Sequence, residues 1–355
     1  MFRKLNSLEK AREILKQNLS PKPVIESIPL SEAHSRVLAE EIVASMNVPP
    51  FNRSTVDGYA VKADDTFGAE EDDPVGLKFC GHIAIGQAPS ITVTDRTAAE
   101  IVTGAPLPQG ADAVVMIEYT TRKDDAVLVH RPVSKGENVM KGGSDIQEGE
   151  AILGRGQTLS SREIGVLAAL GRAQVAVYKR PKVAVISTGA ELVEPGKPLP
   201  SRKIYDINAF TLAAAVQEGG GEPINLGVTP DQRNHLRNTL QKALDLADVI
   251  ITSGGVSVGP KDIIPGVVDT LGKPGVIVSG IRVKPGKPTT IAMIDGKPVF
   301  SLPGHPTSAL LMFFQLVLPY LYRLAGRGEE TASRVKAVAG KRMFPARGRR
   351  TFTMV

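Results

Sequence analysis

Cysteine is nearly absent from this chain. The single cysteine, Cys80, excludes a disulfide within the chain and a metal site built from several thiolates. The five histidines show no paired spacing of the kind that holds zinc. A chain without these features fits a reducing compartment, so we expect a cytoplasmic protein in which Cys80 is an inert, buried thiol.

Long hydrophobic segments are also absent. Residues 1–19 have the pattern of a charged amphipathic helix rather than that of a signal peptide. The apolar run from Ala309 to Leu318 is shorter than a bilayer requires, and Pro319 follows it. The sequence therefore predicts no membrane association.

Basic charge is concentrated at one end of the chain. The formal net charge is +6, but from Arg323 onward nine Lys or Arg residues stand against only Glu329 and Glu330. No basic face with interleaved aromatic residues precedes this region. We therefore predict no nucleic-acid partner.

Length and turn-forming residues predict several domains. The 355 residues suffice for two or more cores, and 35 Gly with 26 Pro indicate many turns and short strands. The predicted fold is a multidomain α/β protein with four parts: a discontinuous N-terminal domain (1–47 and 141–179), an inserted β-rich domain (48–140), an α/β domain with a parallel βαβ sheet (180–325), and a strand-prone C-terminal piece (326–355).

The segment DVIITSGGVSVGPKD, Asp248 to Asp262, carries the strongest functional signal. Its apolar, β-branched start is typical of a parallel strand buried on both faces. The turn that follows offers backbone N–H groups and hydroxyls to phosphate oxygens, from Ser253, Gly254, Gly255 and Ser257. The alternative is an ordinary strand-to-helix connection in which Asp262 caps the next helix.

Two later loops resemble this one in character. In IRVKPGKP, Lys284 and Lys287 flank a Pro-Gly turn, although such lysines often contact only water. The loop of Pro303 and Gly304 leads into a long apolar helix that Thr307 or Ser308 would open. Because ligands of open parallel sheets lie beyond the carboxyl ends of the strands, where helix N-termini attract anions, the three loops together predict a phosphate site.

Acidic residues follow the strands of the same predicted sheet. Asp206, Asn208 and Asp231 each precede a helix, and for each alone a role as helix N-cap is favoured. Glu191 is less easily explained, since glutamate is a poor N-cap. Several carboxylates beside a phosphate pocket would repel the substrate, so the pattern indicates an intervening cation such as Mg²⁺.

In the β-rich part, Asp57 and Thr103 lie beside turns rather than in strands. Alone, the Asp57-Gly58 pair is typical of a plain β-turn.

Eight segments, in order along nearly the whole chain, resemble the molybdopterin molybdenumtransferase family, the MoeA type that includes the E domain of gephyrin. They are NRSTVDGYAV (Asn52–Val61), IVTGAPLPQGADAVVMIE (Ile101–Glu118), GGSDIQEGE (Gly142–Glu150), STGAELVEPG, IYDINAF, SGGVSVGPKD, VKPGKP and PGHPTSAL. The resemblance implies Mg²⁺-dependent insertion of molybdate into adenylylated molybdopterin, with hydrolysis of the phosphoanhydride and release of AMP.

The resemblance also implies roles for individual residues. It assigns catalytic positions to Asp57, Thr103, Asp145, Glu191, Asp231 and Asp262, of which Glu191, Asp231 and Asp262 would hold the metal. It assigns substrate binding to Ser253, Gly254, Gly255, Ser257, Lys284, Lys287, Pro303, Gly304 and Ser308.

Assembly is implied in the same way. Family members are homodimers, so the resemblance implies a dimer, with 1–47 and 141–179 as dimerisation domain and a cleft built from two subunits. It allows molybdopterin adenylyltransferase and molybdoenzyme acceptors as partners. The family's C-terminal domain is a larger β-barrel, which makes 326–355 an incomplete C-terminal β domain.

The chain departs from the family at two positions. His305 replaces the usual asparagine of the Pro-Gly-Asn-Pro loop, and its charge would respond to pH near neutrality. Gly280 stands where some relatives have a lysine, and Arg282 is the candidate to supply that charge.

Two other functions are consistent with the motifs. An adenylyltransferase, which carries out the preceding step with ATP, shares a similar α/β domain and SGG loop, although the β-rich domain disfavours it. A non-catalytic scaffold that uses the same fold to bind a protein is the second alternative.

Overall fold

The computed structural model describes residues 5–255, 263–328, 335–338, 340 and 342–353. Its α-helices, in chain order, are α1 (Leu8–Asn18), α2 (Ser161–Ala169), α3 (Asn208–Glu218), α4 (Arg233–Leu246), α5 (Ile264–Val268), α6 (Pro306–Met312) and α7 (Leu318–Leu324).

The strands are short and numerous, as the glycine and proline content predicted. In chain order they are β1 (Ile25–Pro29), β2 (Val37–Leu38), β3 (Ile42–Val43), β4 (Arg53–Ser54), β5 (Gly58–Val61), β6 (Val75–Ile83), β7 (Thr97–Ile101), β8 (Ala113–Met116), β9 (Thr120–Lys123), β10 (Ala126–Val129), β11 (Val139–Met140), β12 (Ala151–Leu153), β13 (Gln174–Tyr178), β14 (Lys182–Thr188), β15 (Leu192–Val193), β16 (Ile204–Tyr205), β17 (Glu222–Thr229), β18 (Val249–Ser253), β19 (Pro274–Ser279), β20 (Val283–Lys284), β21 (Thr290–Ile294), β22 (Lys297–Leu302) and β23 (Arg350–Thr351).

The chain forms two compact units. The first, called the α/β unit below, comprises Met1–Glu40, Arg155–Ile164 and Ala173–Val355. The second, called the β unit, comprises Glu41–Gly154 and Gly165–Arg172. The four-part division that we drew from the sequence stays a prediction.

A six-stranded sheet with the order β17-β14-β18-β22-β21-β19 forms the centre of the α/β unit. The first four strands are parallel, as predicted, and β14 and β18 are buried on both faces. The sheet as a whole is mixed, however, because β21 runs antiparallel to both of its neighbours. Asp295 and Gly296, both with positive φ, form a two-residue turn of the kind that joins antiparallel strands, and this turn reverses the chain between β21 and β22.

Helices cover both faces of this sheet. On one face α1, α3, α6 and α7 pack around Phe300 and Leu302. On the other face α4 presents Leu236, Leu240 and Leu244 at helical spacing, and it packs with α5 against Ile250. Each helix buries one apolar stripe, so the unit is a three-layer α/β/α arrangement.

The N-terminal amphipathic helix is present as α1, and Ser7 caps it by accepting a hydrogen bond from the Lys10 backbone N–H at 3.1 Å. Its buried Leu8, Ala11 and Leu15 belong to the core of the α/β unit. The sequence prediction had placed this helix in the discontinuous N-terminal domain. Its burial shows instead that the apolar face of this helix packs on the large sheet.

Helical structure continues from Pro306 to Leu324. The prediction that Pro319 ends an apolar run too short to span a membrane was wrong on length, because a π-helical turn at Phe313–Val317 joins α6 to α7. In that turn the Leu318 N–H bonds to the Phe313 carbonyl. Pro319 has no N–H to donate to the Gln315 carbonyl, which accepts the Arg12 guanidinium at 3.1–3.2 Å instead. By length and composition this helix would suffice for a membrane span, but Phe313, Leu316 and Leu321 lie in the core. Such a pattern is typical of a core helix.

The prediction that Thr307 or Ser308 opens this helix was also wrong. The helix begins at Pro306, His305 is the N-cap residue, and no side chain caps the helix start. Proline is favoured at the first helical position, because it has no N–H and its fixed φ suits the helix.

Strand β20 lies between the two ends of the described chain. Asn6 forms a parallel bridge to Ile281, and its carbonyl accepts the Arg282 N–H at 2.8 Å. On the other side β23 pairs with β20, and the Arg350 N–H donates to the Arg282 carbonyl at 3.0 Å.

The β unit contains a six-stranded sheet with the order β8-β5-β7-β6-β10-β9. All neighbouring strands are antiparallel except β6 and β7. Apolar residues on both faces are buried, with Tyr59 and Val61 in one cluster and Ala60 in the other. The prediction of a β-rich region is confirmed. The prediction that Cys80 is buried was wrong, because it is only half-buried, and its thiol donates to the Ala98 carbonyl at 3.3 Å.

Candidate functional site

A cavity of about 440 Å³ lies in the α/β unit beyond the carboxyl ends of β14 and β18. Loops after four parallel strands, together with the start of α3, form its walls. Its lining residues are Thr188, Gly189, Glu191, Leu192, Ile204, Tyr205, Asp206, Ile207, Asn208, Asp231, Ser253, Gly254, Gly255, Pro288, Gly304 and Pro306. This is the edge of an open sheet at which ligands bind.

The glycine-rich turn after β18 borders the cavity. Gly254 and Gly255 have φ values of +91° and +66°, the left-handed region that a side chain disfavours. A Cβ on Gly254 would lie 2.2 Å from the Thr188 carbonyl oxygen. The close approach of two backbone segments therefore requires glycine here.

Three carboxylates line the cavity, and they differ in environment. Glu191 and Asp231 are exposed, whereas Asp206 is buried and its Oδ1 accepts the Ala209 N–H at 3.1 Å. Asp206 thus has the capping role that its position suggested. Asp231 does not cap α4, whose N-cap is Gln232 without a side-chain bond, so its carboxylate is available to the cavity.

Asn208 makes contacts that the sequence did not predict. Its Nδ2 donates to Ser253 Oγ at 2.6 Å and to the Gly304 carbonyl at 2.8 Å. These bonds join the start of α3 to the loops after β18 and β22. The favoured reading of Asn208 as a helix cap was therefore wrong, since Asn208 lies inside α3 after the N-cap residue Ile207, and it is Asp206 Oδ1 that accepts an N–H of the first turn.

The other residues that were predicted to bind phosphate differ in whether they line the cavity. Gly304 lines it, while Pro303 and Ser308 are buried and do not. Lys284 is exposed on β20, and Lys287 is half-buried just before Pro288, which lines the cavity. Neither lysine side chain contributes to the lining.

Asp57 and Thr103 form a pair on the surface of the β unit. Asp57 Oδ1 accepts the Thr103 backbone N–H at 2.6 Å and the Thr103 hydroxyl at 2.7 Å. These two hydrogen bonds, the backbone bond first, hold the pKa of the Asp57 carboxyl below its usual value. The pairing is more than a plain β-turn, because it links two segments far apart in sequence.

Asp145 also lies exposed in the β unit. Its Oδ1 accepts the Ser144 hydroxyl at 3.4 Å, and its backbone N–H bonds to the Val48 carbonyl at 3.0 Å. Two predicted site residues, Ser257 and Asp262, lie outside the described residues.

The donor atoms at the cavity suit a hard cation. Carboxylates, hydroxyls and an amide supply only oxygen ligands, the type that Mg²⁺ prefers. Within the described ranges, however, no three His, Cys, Asp or Glu side chains gather closely enough to hold a metal. The predicted set of Glu191, Asp231 and Asp262 includes a residue outside those ranges.

Sequence reasoning missed several lining residues. Thr188, Ile204, Tyr205 and Ile207 were not predicted as site residues. The signal for Asn208 was present, because it follows Asp206 by two residues and a helix needs only one capping side chain.

Comparison with known proteins matches both units of the chain. Residues 6–171 match the model of the MoeA N-terminal region (domain I and II), and residues 184–323 match that of a probable molybdopterin binding domain. The molybdopterin molybdenumtransferase of Haemophilus influenzae is 36% identical over 348 residues, which cover 98% of this chain and 84% of the relative. Molybdopterin molybdenumtransferase 2 of Mycobacterium tuberculosis is 36% identical over 330 residues, 92% of this chain and 82% of the relative.

Solved structures agree. A MoeA protein from Pyrococcus horikoshii superposes with a TM-score of 0.80 at 44% identity, covering 91% of this chain and 81% of that one. A second structure of MoeA from that organism has a TM-score of 0.75 at 33% identity. The chain therefore belongs to the molybdopterin molybdenumtransferase (MoeA) family, a family of transferases in molybdenum cofactor biosynthesis, and the resemblance read from the sequence is confirmed. The adenylyltransferase and scaffold alternatives are not favoured.

Proposed function

We propose that this chain inserts molybdenum from molybdate into adenylylated molybdopterin, with hydrolysis of the phosphoanhydride and release of AMP. The observation that carries the proposal is the cavity beyond the parallel strands, bordered by the left-handed turn of Gly254 and Gly255. Relatives of this chain that are 36% identical bear the name of this transferase activity.

The cavity walls supply groups for a diphosphate. Because the Gly254 N–H already donates to the Leu302 carbonyl at 3.2 Å, the backbone N–H groups of Gly255 and of the Gly304 loop are the proposed donors to phosphoryl oxygens. Lys284 and Lys287, on the segment that ends at the lining residue Pro288, are proposed to neutralise charge from the side. Fixed donors that face developing negative charge lower the barrier to breaking the P–O–P bond.

Carboxylates complete the proposed chemistry. Glu191 and Asp231 would hold Mg²⁺ together with Asp262, and the ion would neutralise charge on the diphosphate when bound. Asp231 is not engaged in capping, so its carboxylate is also free to orient a water molecule for attack at phosphorus. We assign Asp57, Thr103 and Asp145 of the β unit a role in the same reaction.

We further propose a cytoplasmic homodimer. Molybdopterin adenylyltransferase would supply the substrate, and molybdoenzymes would accept the product. We propose neither a nucleic-acid nor a membrane partner. The burial of Phe313, Leu316 and Leu321 in the core supports the proposal that the protein has no membrane partner.

The test is AMP release from adenylylated molybdopterin in the presence of Mg²⁺, with and without molybdate. We expect molybdate to stimulate release and chelation of Mg²⁺ to abolish it. Asp231→Asn should lower turnover by about 10²-fold or more, as is usual on loss of a general base. Asp245→Asn, which alters an exposed carboxylate at the far end of α4, is the matched control and should keep full activity.

Two results would overturn the proposal. A folded chain that releases no AMP under any of these conditions would sink the reaction itself. Consumption of ATP with molybdopterin as the other substrate would instead identify the adenylyl-transfer step.

A further inference from the structure

Asn208 is the first residue of α3, directly after the N-cap residue Ile207, and its side chain does not cap the helix. The first turn of α3 is satisfied by Asp206, whose Oδ1 accepts the Ala209 N–H. Asn208 is only 7% exposed, and its side chain lines the cavity. A buried amide that the helix does not need has another role.

The orientation of the amide is fixed by its partners. The Gly304 carbonyl can only accept, so the atom 2.8 Å away must be Nδ2. The second N–H of the same nitrogen points at Ser253 Oγ, 2.6 Å away. Both donors are therefore in use, and the Ser253 hydroxyl, which accepts from Asn208, keeps its own proton for a further acceptor.

The remaining amide atom has no partner. Asn208 Oδ1 is buried and forms no hydrogen bond within the described part of the chain, and the same holds for Thr188 Oγ1. Thr188 is 4% exposed and lines the same cavity. Buried polar atoms are expensive to leave unpaired, so two of them in one cavity point to a ligand that pairs with them.

We propose that Asn208 is a positioning and recognition residue of this cavity. Its N–H groups tie the Ser253 and Gly304 loops to α3 and direct the Ser253 hydroxyl toward a phosphoryl oxygen. Its Oδ1 accepts a hydrogen bond from an amino or hydroxyl group of the ligand, because an amide oxygen cannot pair with a phosphoryl oxygen that carries no proton. The inference deepens the proposed function and rests on it for the identity of the ligand.

Calorimetric titration of the full chain with AMP, and separately with adenylylated molybdopterin, tests this role. Asn208→Ala should weaken binding of the adenylylated substrate by about 10- to 100-fold, since it removes one ligand contact and two loop ties. Ser253→Ala, which leaves the Gly304 tie in place, should weaken it by about 3- to 10-fold. Gln217→Ala, at an exposed position of the same helix, is the matched control and should bind as the wild type does.

The two ligands locate the donor group. Equal weakening of AMP and substrate by Asn208→Ala would place the donor on the nucleotide half, whereas weakening of the substrate alone would place it on the pterin half. The double variant Asn208→Ala with Ser253→Ala should bind little worse than Asn208→Ala alone, because both changes break the same tie. A merely structural role would instead lower the unfolding temperature and leave the affinity of the folded protein unchanged.

Several outcomes overturn the inference. If Asn208→Ala binds both ligands as tightly as the wild type, Oδ1 is not a recognition atom. If Asn208→Ala does not fold, unchanged affinity in Ser253→Ala overturns the positioning role. If the wild-type protein binds the adenylylated substrate but releases no AMP, the proposed function alone is wrong. If the wild-type protein releases AMP normally and Asn208→Ala binds as tightly as the wild type, this inference alone is wrong.

Discussion

Single residues set the geometry of the cavity, and Gly254 is the most constrained of them. Its φ of +91° would strain any other residue, and a Cβ would also collide with the Thr188 carbonyl. Gly227 in β17 separates these two effects, because its φ is +76° but nothing lies within 4 Å of a Cβ built there.

We predict that Gly227→Ala lowers the free energy of unfolding by about 1 kcal/mol, the cost of a left-handed residue alone. Gly254→Ala should cost about 2–4 kcal/mol, because overpacking against backbone adds to the same strain. Urea denaturation of both variants measures the difference. Equal losses would show that the turn relaxes to admit a methyl group.

Asp57 is the titratable residue most directly held by a predicted site partner. Because Thr103 lowers its folded pKa below the unfolded value, the contact stabilises the protein above the unfolded pKa, and this stabilisation is lost as pH falls through the folded pKa. We predict that a carbon-detected NMR titration finds Asp57 below the normal aspartate range. Thr103→Val, which removes the hydroxyl but keeps the backbone donor, should move the pKa upward. An unchanged titration in that variant would mean that the backbone bond acts alone.

At the scale of elements, the helix from Pro306 to Leu324 has one face in the core and one outside. Two adjacent phenylalanines of its π-helical turn distinguish the faces, since Phe313 is fully buried and Phe314 is 40% exposed. We predict that Phe313→Ala lowers the free energy of unfolding by about 3–5 kcal/mol, and Phe314→Ala by less than about 1 kcal/mol. Thermal or chemical unfolding of the pair decides this. Similar losses would mean that Phe314 is covered in the assembled protein.

The elements that sequence reasoning found are those with local signals. The strands β14 and β18 and the turn of Gly254 have such signals, because β-branched runs predict strands over about 183–187 and 249–252 and the adjacent glycines predict the turn. The antiparallel direction of β21 was not predicted, although the Asp295-Gly296 pair is a strong local hairpin signal. The packing of α1 on the large sheet had no such signal, because it depends on partners such as Gln315, to which Arg12 donates.

The site residues also divide into those with a local sequence signal and those whose role depends on distant partners. Glu191 and Gly304 directly follow strands and were predicted because the edge of a parallel sheet gathers such residues, whereas Asp231, whose position alone suggested a helix cap, was assigned to the site by the family resemblance. The partners of Asn208 are distant in sequence, and nothing near position 208 reveals them. Lys284 and Lys287 show another limit of the sequence. Two cations close together predict a charged loop, but they do not show which side chain reaches the cavity.

At the scale of the whole molecule, the proposed homodimer is the simplest property to measure. Light scattering coupled to gel filtration should give twice the mass of one chain, and the mass should stay constant over a tenfold range of protein concentration. A fully active preparation at the mass of one chain would contradict the proposed assembly.

The segment Ile281–Lys284, which ends in strand β20 and carries Lys284, is held on one side by Asn6 at Ile281 and Arg282 and on the other by Arg350. Both contacts join residues that are far apart along the chain, and closing such loops is slow because the entropy must be lost before any contact is gained. During synthesis the ribosome produces the central sheet long before it produces β23. A nascent chain can therefore complete its glycine-rich turn first, while the lysine segment gains its β23 neighbour only after β23 has been synthesised.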